Sequence, residues 1–244
     1  MGGLTVFTLL AVMVGGVVGS LTTTAAMRSA QRRGWLTGRS ECDSCNKVLP
    51  FSETVPILSF LILRGRCRSC GAPIGWLHPV GETAGVVIFL TAIFASDPWT
   101  SIAIAALGLL LLYVAVFDWL THRIPNTLSA AVLIVCFAEA LRAGRALDGA
   151  LAAAAVLCLL AGVGWIYRQT RGREGLGGGD VKLLAALAMW LGMERLAYAV
   201  ALSAGLALIW MIGIRRLDFR RADGIAFGPF IAIAGWAIVS GVRG

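Results

Sequence analysis

The sequence predicts an all-α polytopic membrane protein with about eight transmembrane helices and one small polar insert. Three observations predict it. Hydrophobic residues make up 58% of the chain and charged residues only 14%, with a mean hydropathy of +0.83, whereas soluble domains are about 45–50% apolar. Apolar runs recur along the 244 residues, most of them near the roughly 20 residues that cross a bilayer. A single long polar stretch, 28–78, interrupts them and carries four cysteines in two close pairs.

The runs place helices near 4–27, 79–96, 99–117, 125–141, 148–168, 180–193, 196–214 and 225–241. No basic residue precedes the first run, and no small-residue cleavage site leads from it into a soluble chain, so it reads as a retained span. The insert at 28–78 follows, and 79–244 reads as a membrane-embedded core. The sixth helix is short and opens behind the run "GLGGG". Alanine and glycine richness suits helices that pack closely in lipid, and no internal repeat is evident.

A net charge of +8 would suit nucleic acid in a soluble protein. Here the positions of the basic residues carry more meaning than their sum. They fall after helix one (Arg28, Arg32, Arg33, Arg39, Lys47, Arg64, Arg66, Arg68), helix three (Arg123), helix five (Arg168, Arg171, Arg173) and helix seven (Arg215, Arg216, Arg220, Arg221). Those four segments share one side, which the positive-inside rule makes cytoplasmic. Arg142, Arg145 and Arg195 lie on the other side. The expected surroundings are lipids of the cell membrane, with no nucleic-acid partner.

The insert contains "CDSC" (Cys42, Cys45) and "CRSC" (Cys67, Cys70). Two Cys-x-x-Cys pairs at this separation have the spacing of a structural zinc site, because each knuckle offers two sulfurs to one tetrahedral ion. Free or redox-active thiols are the alternative; a disulfide suits a cytoplasmic insert poorly. A metal would also solve a folding problem, since so short a polar segment has little apolar core of its own. Cys136 and Cys158 stand alone in apolar helices and read as small buried residues.

Ionisable groups in or at the edge of membrane helices are candidates for function. Asp118 follows the run "LLLLYVAVF", and Asp180 opens the sixth helix. The predicted topology puts both at one depth on the cytoplasmic side. Two close aspartates share a proton, so one can activate water while the other protonates a leaving amide nitrogen. The glycines at 175 and 177–179 allow close backbone approach. The alternatives are a helix N-cap for Asp180 and an interfacial charge beside Arg123 for Asp118. Asp97, Asp148, Asp218 and Asp223 read as solvated loop residues, and Glu139 has no assigned part. Neither His78 nor His122 has a serine or cysteine arranged with it as a triad, and no phosphate-binding loop is present.

Four segments, in this order, resemble the type IV prepilin peptidases, a family of membrane aspartic proteases. The stretch from Cys42 to Glu82 is similar to the family's cysteine domain, including its Glu53, Pro56, Ser59 and Gly65 positions. "FDWLTHRIPN" resembles the first catalytic segment, with Asp118 seven residues before Pro125. "GGGDVKLLAA" resembles the Gly-x-Gly-Asp signature with its lysine, at Gly177, Gly179, Asp180 and Lys182. "FGPF" resembles a further segment, at Gly228 and Pro229. The resemblance implies cleavage of prepilins and pilin-like secretion precursors at the cytoplasmic face, after a short basic leader. It also implies N-methylation of the new terminus from S-adenosylmethionine. At the end of the first helix the family pattern Gly-Ser-Phe-x-Asn-Val is kept only at Gly19 and Ser20, with Leu21 and Thr23 in place of the phenylalanine and asparagine. A proton-relaying transporter and a non-catalytic scaffold are the rival readings.

Overall fold

The computed structural model describes residues 2–34, 39–172, 175–213 and 225–241. Arg173, Arg215, Arg216, Asp218, Arg220, Arg221 and Asp223 lie outside the described residues. The chain forms two compact units, residues 1–94 and 95–244. Among the described residues no β-strand occurs, and the secondary structure is helical apart from two isolated β-bridges.

The first unit holds α1 (Gly2–Ala30), α2 (Leu58–Ile62) and α3 (Leu77–Ala92). Gly15 and Gly19 on α1, like Gly81 and Gly85 on α3, are spaced four apart and so share one helix face. A Cβ on Gly15 would stand 2.6 Å from the Gly85 carbonyl oxygen, and one on Gly19 would stand 2.8 Å from the Gly85 Cα. Only glycine permits that approach, the usual basis of tight helix pairing in lipid. Thr23, at the departure from the family pattern, is wholly buried, and its Oγ1 occupies the space that a Cβ on Gly81 would need.

Between α1 and α3 the insert uses one backbone motif twice. Cys42 N–H donates to the Lys47 carbonyl and Asn46 N–H to the Cys42 carbonyl; Cys67 N–H likewise donates to Ala72 and Gly71 N–H to Cys67. Bridges Glu41–Val48 and Arg66–Pro73 close the two knuckles. Asn46 and Gly71 both take positive φ, 55° and 70°, which asparagine and glycine tolerate best. The structure thus contains a repeat that the sequence hid, because the hydrogen bonds are made by backbone and only the short pattern Cys-x-Ser-Cys recurs in side chains.

The second unit holds α4 (Pro98–Thr121), α5 (Asn126–Arg142), α6 (Ala146–Arg171), α7 (Gly178–Gly213) and α8 (Gly228–Gly241). Asp97 caps α4, accepting the N–H groups of Trp99 and Thr100 ahead of Pro98, as favoured N-terminal chemistry dictates. It is therefore a cap and not merely a solvated loop residue. α4 ends at His122, which takes the left-handed conformation, three residues before the helix-breaking Pro125. α6 ends at Gly172, also left-handed, with Arg168 and Arg171 complementing the dipole of its last turn.

The expected sixth and seventh helices are both within α7, a 36-residue element broken at Gly192, where φ is 72° and ψ 180°. Asp180, near its start, interacts electrostatically with Asp118. Trp210, near its end, packs edge-on against Trp119 with ring centroids 5.2 Å apart. A straight helix would separate positions 180 and 210 by about 45 Å, yet both meet the same turn of α4. The chain therefore doubles back at Gly192, and the described residues form eight helical passes, in agreement with the sequence.

The first half of α7 is the core of this unit: Val181 and the whole run from Leu183 to Leu191 are buried. Gly149 of α6 and Gly235 of α8 admit Met189 and Leu187 where a Cβ would collide. Cys136 is fully buried as expected, whereas Cys158 is exposed on the outer face of α6, because α6 packs on α7 through Gly149, Ala152 and Val156.

Candidate active site

The helices of the second unit have two ends, and the candidate residues gather at one. Asp118 lies in the last turns of α4 and is 4% exposed. Asp180 lies in the first turn of α7 and is half-buried. The carboxylates are near enough to repel one another. Val181 N–H donates to the Gly177 carbonyl, which makes Gly177 the cap position and puts Asp180 three residues inside the helix. The N-cap reading of Asp180 does not match this geometry, although a helix N-terminus still favours a carboxylate there.

Glycines hold this end together. A Cβ on Gly177 would sit 2.8 Å from Asp180 Oδ2, and one on Gly179 would sit 2.9 Å from the Ile124 Cβ. Lys182, exposed, donates to Asn126 Oδ1 at 2.7 Å and so ties α7 to the start of α5. Pro125 occupies the N-cap position of α5, with extended backbone. At the start of α8, Gly228 donates its N–H to Asp118 Oδ2 at 2.9 Å, in a buried hydrogen bond. Pro229 follows, and the Phe227 carbonyl accepts from Phe230 and Ile231. The free N–H of a helix N-terminus is a natural donor to a carboxylate. Sequence reading singled out Gly228 only as part of a motif; its use as a hydrogen-bond donor, and Ile124 and Asn126 as partners, carry no side-chain signature.

The opposite end carries a separate polar cluster. Buried Glu139 accepts two bonds from Arg142, at 2.9 Å and 2.7 Å, and one from Thr100 at 3.2 Å. Asp97 stands 3.6 Å from the same guanidinium. This cluster ties the start of α4 to the end of α5, and it lies a helix length away from Asp118.

In the first unit the sulfurs of Cys42, Cys45, Cys67 and Cys70 lie within 4.8 Å of one another, with Cys42 and Cys70 at 3.8 Å. A tetrahedral zinc with Zn–S bonds of about 2.3 Å sets its sulfurs about 3.8 Å apart, so the four thiols fit one ion. Glu82 of α3 is held from two sides, accepting from Ser20 Oγ at 3.1 Å and from the Ile57 N–H at 2.7 Å.

Comparison with known proteins bears on both units. The Bacterial Peptidase A24 N-terminal domain matches residues 13–96, and the Type IV leader peptidase family matches residues 105–212. A "Prepilin leader peptidase/N-methyltransferase" of Burkholderia pseudomallei (strain 1026b) is 36% identical over 208 residues, which are 82% of this chain and 66% of that protein. Proteins with the same name are 34% identical in Aeromonas hydrophila, over 81% of this chain and 70% of the relative, and 34% identical in Pseudomonas aeruginosa, over 81% and 69%. The chain spans about two thirds of the length of these relatives. No solved structure matches it.

Proposed function

Because this chain belongs to the type IV leader peptidase family, we propose that it removes the leaders of prepilins and pilin-like precursors, with Asp118 and Asp180 as the catalytic pair. The observation that carries this reading is the meeting of two carboxylates from separate helices at one end of the second unit. The pair shares one proton. The ionised member takes a proton from water as the water oxygen attacks the scissile carbonyl; the protonated member then gives its proton to the departing amide nitrogen. One proton again remains on the pair. Gly177, Gly179, Pro125, Gly228 and Pro229 shape the approach, and Lys182 braces it.

The reading extends to the rest of the molecule. Cys42, Cys45, Cys67 and Cys70 hold one structural zinc, as their spacing and grouped sulfurs support. Lipid surrounds the outward apolar faces, such as Phe7, Leu10 and Met13 of α1 and Leu151, Leu159 and Ile166 of α6. Arg123, Arg168, Arg171 and Lys182 all belong to the carboxylate end, which favours a cytoplasmic position for the site. The relatives' names and the cysteine domain support N-methylation of the new terminus as a second activity. S-adenosylmethionine supplies for this a methyl group on a positively charged sulfur.

The test is incubation of the detergent-purified protein with a tagged prepilin, read by mass spectrometry for leader loss and N-methylation. Asp118→Asn and Asp180→Asn are each expected to remove nearly all cleavage, and the double variant to lose little more, because residues acting as a unit are non-additive. Cleavage surviving in either folded variant would defeat the pair and leave the scaffold reading.

A further inference from the structure

Some of the largest apolar side chains of the insert face outward. In α2, Ser59 is buried and Phe60 lies against Gly65, where a Cβ would stand 3.1 Å from the Phe60 Cζ. Leu58, Leu61 and Ile62, spaced i, i+3 and i+4 and so on one helix face, are exposed instead, Ile62 at 70%. The 3₁₀ turn Phe51–Glu53 packs on α2, and the Ser59 hydroxyl joins the two by donating to the Ser52 carbonyl at 3.2 Å. Phe51 itself is 87% exposed. Exposed apolar side chains gathered in this way mark an interaction surface.

The charges at its edge tell what meets it. From Ile62 the chain runs directly into Arg64, Arg66 and Arg68, all exposed. Arg68 returns to the 3₁₀ turn, with Nη1 3.9 Å from Glu53 Oε1. Lys47, also exposed, donates to Ser69 Oγ at 2.9 Å. Residues 28–78 carry eight basic side chains against three acidic ones, Glu41, Asp43 and Glu53. Two of those acids already face a cationic partner: Glu53 faces Arg68, and Asp43 stands 3.8 Å from His78 Nε2. Among the described residues neither Arg64 nor Arg66 forms an ion pair. The surface is therefore apolar at its centre and positive at its edge.

Both ends of the insert continue into apolar helices, α1 up to Ala30 and α3 from Leu77, which tether it to a bilayer surface. A bilayer offers what the patch matches: hydrocarbon for the apolar face and phosphate for the guanidiniums. An arginine there lays its methylene stem along apolar neighbours and keeps its head among the lipid headgroups. A protein partner would have to bring an apolar, negatively charged surface by encounter, whereas the bilayer is already present.

We propose that α2 and the 3₁₀ turn before it dip into the surface of the bilayer that α1 and α3 cross, with Phe51, Leu58, Leu61 and Ile62 among the acyl chains and Arg64 and Arg66 on the phosphates of anionic phospholipids. The insert is then anchored between its two tethers as well as at them, and Cys67, next to Arg66, is held close to the headgroups. The inference stands or falls separately from the leader-peptidase reading.

The zinc-loaded full-length protein in lipid nanodiscs tests it, with diazirine-bearing phosphatidylglycerol mixed into phosphatidylcholine. After illumination, label is expected within residues 48–63, on Phe51 or the outer face of α2, as well as on the spans. Label confined to the spans would overturn the proposal. With Arg64→Gln and Arg66→Gln combined and zinc content unchanged, labelling of 48–63 relative to α3 is expected to drop at least about fivefold, the preference that one basic residue supplies at an anionic surface. An unchanged ratio overturns the headgroup assignment. Should that variant lose its zinc, the wild-type protein in phosphatidylcholine alone, with the diazirine on that lipid, makes the same comparison: the same drop upholds anionic headgroups, and equal labelling overturns them. Phe51→p-benzoylphenylalanine identifies any other occupant. An adduct with residues 95–244, with a second copy of the chain or with added prepilin, in place of lipid, overturns the membrane assignment.

Discussion

Gly228 donates its backbone N–H to Asp118 and leaves no room for a side chain: a Cβ there would lie 2.7 Å from Asp118 Oδ2 and 3.0 Å from Asp118 Cβ and Cγ. Gly228→Ala should therefore push the carboxylate from its place while keeping every ionisable group. A displacement of about 1 Å can cost about 100-fold in rate, so kcat/KM for leader cleavage is expected to fall about 10- to 100-fold with zinc content unchanged. At the other end, Arg142→Ala leaves the Glu139 carboxylate buried without its main partner. Such a loss costs about 1–3 kcal/mol, and thermal unfolding in detergent should register it, with partial recovery when Glu139→Gln is added. Asp118 and Asp180 were legible in the sequence because charge beside an apolar run is costly and needs a reason. The Gly228 donor and the Glu139–Arg142 pair were not: the first is backbone, and the second needs two helices in contact before it exists.

At the scale of elements, the α1–α3 pair depends on glycine more than on any polar contact. Gly85→Leu would drive a side chain into the Gly15 carbonyl oxygen and the Gly19 Cα, backbone that cannot rotate away. Overpacking costs about 1–3 kcal/mol, so a lower unfolding temperature in detergent is expected. The cysteine knuckles make a different prediction. The Cys45 and Ser44 amides hold the Cys42 thiol down to about 7. Cys70, although the Ala72 amide acts to lower it, is carried up to about 11 by desolvation and the neighbouring sulfurs. Zinc binds thiolate, so at neutral pH it must displace at least the Cys70 proton. Affinity should rise at least tenfold per pH unit, hence at least about 100-fold from pH 6 to pH 8 in competition with a chromophoric chelator. A flat profile would exclude thiolate ligation. The cysteine spacing made this site legible; the positive φ of Ile57, 63°, was not, since nothing in "VPILSF" marks isoleucine for it.

At the scale of the molecule, eight passes could be counted from apolar runs alone, because a bilayer demands a fixed length of apolar helix. What the sequence did not supply is that both halves of α7 return to Asp118 and Trp119: "GMER" marks a break between two spans but says nothing of where their far ends lie. The arrangement sorts the second unit's connections into two sets, and labelling checks their sidedness. Single cysteines at Arg123 and Lys182 should resist a membrane-impermeant thiol reagent in intact cells, in a background with Cys136 and Cys158 replaced, while one at Arg145 should react. The reverse pattern would turn the molecule over.

The first half of α7 also has a consequence for the membrane itself. Residues 178–191 span only about 21 Å as α-helix, against a hydrocarbon thickness of about 30 Å, and α8, with 14 residues, is as short. Both begin at the carboxylate end. If their far ends reach the opposite face, Asp180 and the Gly228 amide stand several ångströms below the lipid surface, at the floor of a depression. A substrate whose scissile bond sits at the start of its own membrane helix would then not need to be lifted out of the bilayer to be cut: the protein brings water down to the bond.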